Sequence, residues 1–535
     1  MAAVFTLRLA LLTVVCLSSI LLYVYLIDQL GHPGRVTPVT LAMDFRAFYC
    51  SSEALANRQD PYRTVPATTC QHAAANANRI VRIPGIVPSV LPPYAIVAIE
   101  PLARLSFPLA TRVWFLIMIA AFSGSVLLMT RLSTLPIVVV FASLFLSSFI
   151  ASFAEGQVGP GLTVLIVLAG WCLRQRHNAL AAACCCALLF EPHVGAPVVL
   201  AAFFFVRPLR GWIAVGTLTI ALLTLLADPR LSIEYLTTVL PLHNLSEVTW
   251  YKQYSLTALL WIEGVSVANA QTLGLASYLA MVSASFVLTK MALDRTGDRA
   301  YAIFIPAACA VFGGPFVHVF QVCAAIPLAL ILAGHAGPHR RLAILSVLLL
   351  GLPAQAMLQW SGSPAAFAFD PIRATPHVHI ELRDPNPIVD EFRLRDAMPT
   401  AYIPGPAAQR THLPRLWTWC GLLLVLAALI VRLREHGGAR ARQEELVLTT
   451  VPANAFYEPT TPRAAHGGPS YRKRTSLFEV AITRRARPYV GSSLGRFFVV
   501  ITNARPGKQM ARRGSVAVVM AASPGTSRVA TGGCV

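Results

Sequence analysis

The chain has 535 residues, of which 56% are hydrophobic and 13% charged, with a formal net charge of +20. Soluble domains carry about 25% charged residues, so this composition excludes an ordinary soluble enzyme and points to an all-α polytopic membrane protein. Nor does the charge imply nucleic acid: about 16 Lys/Arg against 5 Asp/Glu follow Leu433, and most of the rest flanks apolar runs, as cytoplasmic loops do.

In chain order, residues 5–30 are long enough to span a bilayer and lack a small-residue cleavage site, so a retained anchor is expected. Further apolar runs cover 109–130, 133–152, 156–173, 178–206, 210–227, 268–291, 299–313, 316–334, 342–360 and 415–433. The basic pairs Arg174/Arg176, Arg207/Arg210, Arg340/Arg341 and Arg432/Arg434, with Lys290/Arg295/Arg299, belong on the cytoplasmic side. All are accommodated if the N-terminus is inside, 91–104 is a partial helix, and 178–206 is two short helices broken by Pro192 and Gly195. The expected count is eleven to thirteen helices.

This topology gives one outer face to the loop 31–90, "AEGQVG" (154–159), the loop 228–267, "GGPFVHVFQ" (313–321) and the loop 361–414. Residues 434–535 lack a spanning run and read as a basic, disordered cytoplasmic tail, and its Arg/Lys clusters could also rest on anionic lipid. Of eleven cysteines, eight lie in apolar runs and read as packing. Cys50 and Cys70 share the first outer loop and can pair if that side is oxidising. Asn244-Leu245-Ser246 fits the glycosylation pattern.

Asp44, in "MDFRAFYCSSEALANRQDPY" (43–62), is the sharpest chemical candidate. A helix over 43–57 puts it on one face with Phe48 and Ser51 or Ser52, the aromatic side floating in the membrane interface. It can be a reactive carboxylate or simply the helix cap. Pro92-Pro93-Tyr94 opens the next helix, which Arg104 and Arg112 flank as phosphate contacts or snorkelling side chains. Glu155 and Gln157, Glu191 and His193, and His318 with Gln321 are polar groups in or beside apolar spans, where ionisable residues usually carry function. There is no phosphate-cradling Gly-rich loop, no zinc-protease pattern and no Gly-x-Ser-x-Gly elbow. His377 and His379 have no evident third metal ligand.

"DFRAFYCSSEALANRQDPY", "LPPYAIVAIEPLARL", the run from "EGQVGPG" to "LLFEP", "YKQYSLTALL" and "GGPFVHVFQ" resemble, in order, the landmarks of glycosyltransferase family 87, in the GT-C superfamily. The resemblance covers about 5–360. It implies a GT-C-like bundle (1–433) that takes a hexose, mannose first, or an arabinofuranose from a polyprenyl-phosphate donor. The acceptor would be a glycolipid or cell-envelope glycan outside the cell membrane, and Asp44 would be the general base. The substrate-binding candidates are Tyr49, Tyr62, Arg104, Arg112, Glu155, Gln157, Glu191, His193, Lys252, Gln253 and His318, with no cofactor and no metal. Two positions depart from the family pattern. Arg58 stands where a small residue is expected, and Glu191 stands where a Lys is expected before Pro192. A secondary transporter or flippase with broken helices is the competing class, but the uneven distribution of outer loops favours an enzyme.

Overall fold

The structure, a computed structural model, describes residues 42–78, 86–248, 253–314, 316–318, 320–351, 386–389, 415–436, 479–482, 497–502 and 516–520. The run 5–30, Lys252, His377, His379 and most of 361–414 lie outside them. The chain divides into two units, Met1–Thr450 and Val451–Val535.

The first unit is helical. Among the described residues, four helices are long and apolar enough to cross a membrane: Phe107–Ser133, Arg207–Leu225, Val267–Thr296 and Arg415–His436. Shorter apolar helices include Pro93–Ala103, Gly159–Arg174, Asn178–Phe190, Pro192–Phe205, Tyr301–Gly313 and Gln321–Gly334. Leu116, Leu127, Leu218, Leu225, Leu279 and Val287 are each more than half exposed on the long helices. In water such a surface would be an aggregation liability, whereas against lipid it is ordinary.

Tyr301–Gly313 is the core helix, apolar and buried on nearly every side, as a helix surrounded by other helices must be. It packs against Gly159–Arg174, Pro192–Phe205 and Val267–Thr296. The break expected within 178–206 is present: a tight turn at Leu188–Phe190 ends one helix and Pro192 opens the next. A Cβ at Gly195 would strike the Leu188 carbonyl, so glycine lets the second helix fold closely against that turn. The run 133–152 is less regular than its pattern suggests, since Ile137–Leu144 passes through a π-type turn at Phe145–Phe149 before Ile150–Glu155.

Helix Met43–Ala56 lies across Pro93–Ala103 and the start of Phe107–Ser133. Its aromatic side is covered by protein and does not float in an interface. Phe45 stacks on Trp114 at 4.9 Å between ring centroids, and Tyr49 meets Phe107 edge-on at 5.2 Å. The Tyr49 hydroxyl donates to Leu105 O at 2.8 Å, and Ser52 Oγ donates to Ile96 O at 2.9 Å. A Cys50–Cys70 disulfide joins this helix to Thr64–Asn78, the pairing that the sequence left conditional.

The Asp60-Pro61-Tyr62 turn fastens three segments. Asp60 Oδ1 accepts from Tyr62 N, and Arg63 donates to Asp60 at 2.8 Å and to Glu234 at 2.6 Å. Tyr62, 2% exposed, donates its hydroxyl to Leu91 O, and Val389 N donates to Tyr62 O. Tyr62 therefore has a structural position. Arg58 follows the helix in a left-handed conformation at φ 57°, which a residue without a Cβ adopts more readily.

The second unit is described only in part. Its described backbone is an antiparallel sheet in which Glu479–Ile482 pairs with Phe497–Thr502, and that strand with Val516–Met520. "FFVVIT" and "VAVVM" are rich in β-branched and aromatic residues, which suit a pleated surface.

A left-handed conformation costs a residue with a Cβ about 1 kcal/mol or more. Arg58→Gly is expected to stabilise the protein by about that amount, read as a higher thermal midpoint in detergent. An unchanged or lower midpoint would contradict the strain at this turn.

Candidate functional site

The site is built from two polar groups of residues in the apolar bundle. In the first, Ala42 occupies the cap position of helix Met43–Ala56 at φ 59°, with no side-chain cap, and Asp44 lies inside the first turn. Asp44 is thus not the cap residue. Its Oδ2 accepts a hydrogen bond from Gln157 Nε2 at 2.5 Å. An acidic group in a first turn also gains from the positive end of the helix dipole.

Gln157 is delivered by the turn after Ile150–Glu155. Gln157 N donates to Ser152 O at 2.7 Å, and Gly156 takes φ +72°. Trp114 Nε1 donates to Gly156 O at 2.8 Å. A Cβ on Gly156 would lie 2.8 Å from Phe45 Cβ and 3.0 Å from Ala42 Cα, so only glycine satisfies both the dihedral and the approach. Glu155, on the same turn, is 6% exposed.

The second group is a chain of polar contacts. His193 Nδ1 is 3.5 Å from Glu191 Oε2, which accepts from Gln321 Nε2 at 3.3 Å. Gln321 Oε1 accepts from His318 N at 2.9 Å. His318 Nε2 lies 3.1 Å from Gln253 Nε2 and 3.4 Å from Glu247 Oε2. Gln253 Oε1 accepts from Val317 N at 2.9 Å, which fixes the orientation of its amide, and its Nε2 donates to Glu247 at 3.1 Å. With the amide so fixed, neutral His318 accepts at Nε2; a protonated ring would donate to Glu247 instead. Gln253 is itself held by Arg415, whose Nε donates to its carbonyl at 2.8 Å.

The two groups adjoin. A Cβ at Gly159, two residues after Gln157, would lie 3.2 Å from Phe320 O, two residues after His318.

The structure therefore brings together Asp44 with Gln157, and Glu191 and His193 with Gln253 and His318. It does not bring Arg104 or Arg112 to them: Arg104 is exposed and paired with Glu100 at 2.6 Å, and Arg112 is exposed. Tyr49 and Tyr62 serve packing. Sequence reasoning passed over Glu247 and His243, buried on helix Leu240–Glu247, and the buried Arg46 and Arg415. The available signal was two charge-bearing residues four apart on a short helix, but no periodicity shows which side of so short a helix is buried. Among the described residues, the one cluster of three metal-type ligands is Cys50, Glu53 and Cys70, and its two cysteines are joined to each other.

Residues 90–320 match the model of glycosyltransferase family 87. No curated protein and no solved structure matches the chain. The matched segment, less than half of the chain, is thus similar to glycosyltransferase family 87. It holds Gln157, Glu191, His193, Gln253 and His318, while Asp44 lies before it and reaches it through the bond to Gln157.

Gly156→Ala is expected to cost about 2–3 kcal/mol, from left-handed strain plus overpacking on Phe45. It would appear as a lower thermal midpoint and weaker activity. A variant as stable as wild type would contradict the close approach.

Proposed function

We propose that the protein transfers a hexose, mannose foremost, or an arabinofuranose from a polyprenyl-phosphate donor to a glycolipid or cell-envelope glycan. In this reading the chain is multi-pass with eleven to thirteen spans, its site faces outward, and residues 434–535 are cytoplasmic. The observation that carries the reading is the Asp44–Gln157 hydrogen bond, which holds a carboxylate from the first loop against the family-matched segment.

Asp44 acts as general base. It takes the proton of an acceptor hydroxyl as that oxygen attacks the anomeric carbon, and the bond from that carbon to the phosphate oxygen breaks. Direct displacement inverts the anomeric centre. Gln157 orients the carboxylate, and a positioned base contributes about 10²–10⁴-fold to rate. Glu191, His193, Gln253 and His318 present donors and acceptors along an adjoining wall that suits sugar hydroxyls.

The test is transfer from a labelled polyprenyl-phosphate sugar in membranes. Asp44→Asn is expected to lower the rate about 100-fold or more with protein level unchanged. Equal transfer would remove Asp44 as base, and no transfer by wild type from any polyprenyl-phosphate sugar would favour a transporter.

A further inference from the structure

Arg46 stands two residues beyond Asp44 and is 3% exposed. Among the described residues, its Nε and Nη2 have no hydrogen-bond partner. Burial pulls the guanidinium below its ordinary value, and the Asp44 carboxylate pushes it back up. An arginine nevertheless keeps its charge. A buried charge with open donors is costly unless an anion completes it.

The identity of the two open donors says what kind of anion fits. Nε–H and Nη2–H lie along one edge of the guanidinium plane, and that edge is the fork that grips two oxygens of one phosphate or carboxylate. Gln157, not Arg46, makes the hydrogen bond to Asp44 Oδ2, and the Arg46 fork is left without a partner among the described residues. Of the three cations that the sequence offers for this task, Arg104 and Arg112 are exposed, and Lys252 lies outside the described residues.

We propose that Arg46 clamps the donor's phosphate, its Nε and Nη2 donating to two phosphate oxygens on the side of the anomeric carbon opposite the attacking hydroxyl. This rests on the reading of the protein as a polyprenyl-phosphate-dependent transferase. As the acceptor oxygen bonds to the anomeric carbon, the electron pair of the breaking carbon–oxygen bond passes to the lipid phosphate. The proton goes to Asp44, and Arg46 compensates the charge gained by the leaving group.

The experiment titrates the full chain in detergent with a short-chain polyprenyl monophosphate, following tryptophan fluorescence. The uncharged polyprenol, phosphatidylinositol and inorganic phosphate are parallel probes. Wild type, Arg46→Lys, Arg46→Met and Asp44→Asn are compared. Arg46→Met is expected to bind polyprenyl phosphate at least tenfold more weakly, and Arg46→Lys to lose part of that affinity because it keeps the charge without the fork. Polyprenol should bind all four alike. Ligand-free Arg46→Met should melt at or above the wild-type temperature, because an uncompensated buried charge has been removed.

Wild-type affinity for polyprenyl phosphate in Arg46→Met would overturn the proposal. So would a loss confined to phosphatidylinositol or inorganic phosphate, which would place another phosphate on the arginine. A marked fall in the melting temperature of ligand-free Arg46→Met, restored by Lys, would make Arg46 structural and also overturn it. Asp44→Asn should retain polyprenyl phosphate binding, so failure of the base assignment shows in transfer alone and failure of the clamp shows in binding.

Discussion

A left-handed glycine at 156 lets the chain turn sharply after Ile150–Glu155, and the other contacts of the first polar group depend on that turn. Its carbonyl meets Trp114, its α-carbon meets the start of helix Met43–Ala56, and the next side chain reaches Asp44. Trp114 also stacks on Phe45. One aromatic ring thus fixes both the helix that carries the carboxylate and the turn that orients it.

The second polar group has a different logic. Glu191, Gln321, His318, Gln253 and Glu247 join three segments far apart in sequence. In a low-dielectric bundle each unpaired polar group would be expensive, so a connected chain of donors and acceptors specifies a single arrangement of those segments. His193 Nε2 is buried and has no hydrogen-bond partner among the described residues.

Much of the scaffold was legible because helix breaks have local chemistry. Pro192 and Gly195 announce the broken pair, and Pro92-Pro93 the short helix before Arg104. The π-type turn at Phe145–Phe149 has no such signature, since hydrophobic residues fill regular and irregular turns alike. Asp44 was found because a carboxylate beside aromatic residues is conspicuous. The covering of those aromatic residues was misread, since a helical face does not reveal whether lipid or Trp114 will bury it. Arg46 was overlooked for the converse reason: a charge in an outer loop reads as solvated. Arg104 and Arg112 drew attention by sequence position, and only tertiary packing separates them from the buried arginine. In the tail, abundant Arg, Gly and Pro masked two short β-rich runs.

The central claim is that Gln157 acts through Asp44, and a double-mutant cycle on transfer rate tests it most directly. Wild type, Gln157→Leu, Asp44→Asn and the double variant would be compared over long incubations with a labelled polyprenyl-phosphate sugar. The account predicts a loss of about tenfold or more for Gln157→Leu when Asp44 is present, and little further loss when it is Asn, because coupled residues are not additive. Losses that simply multiply in the double variant would contradict it.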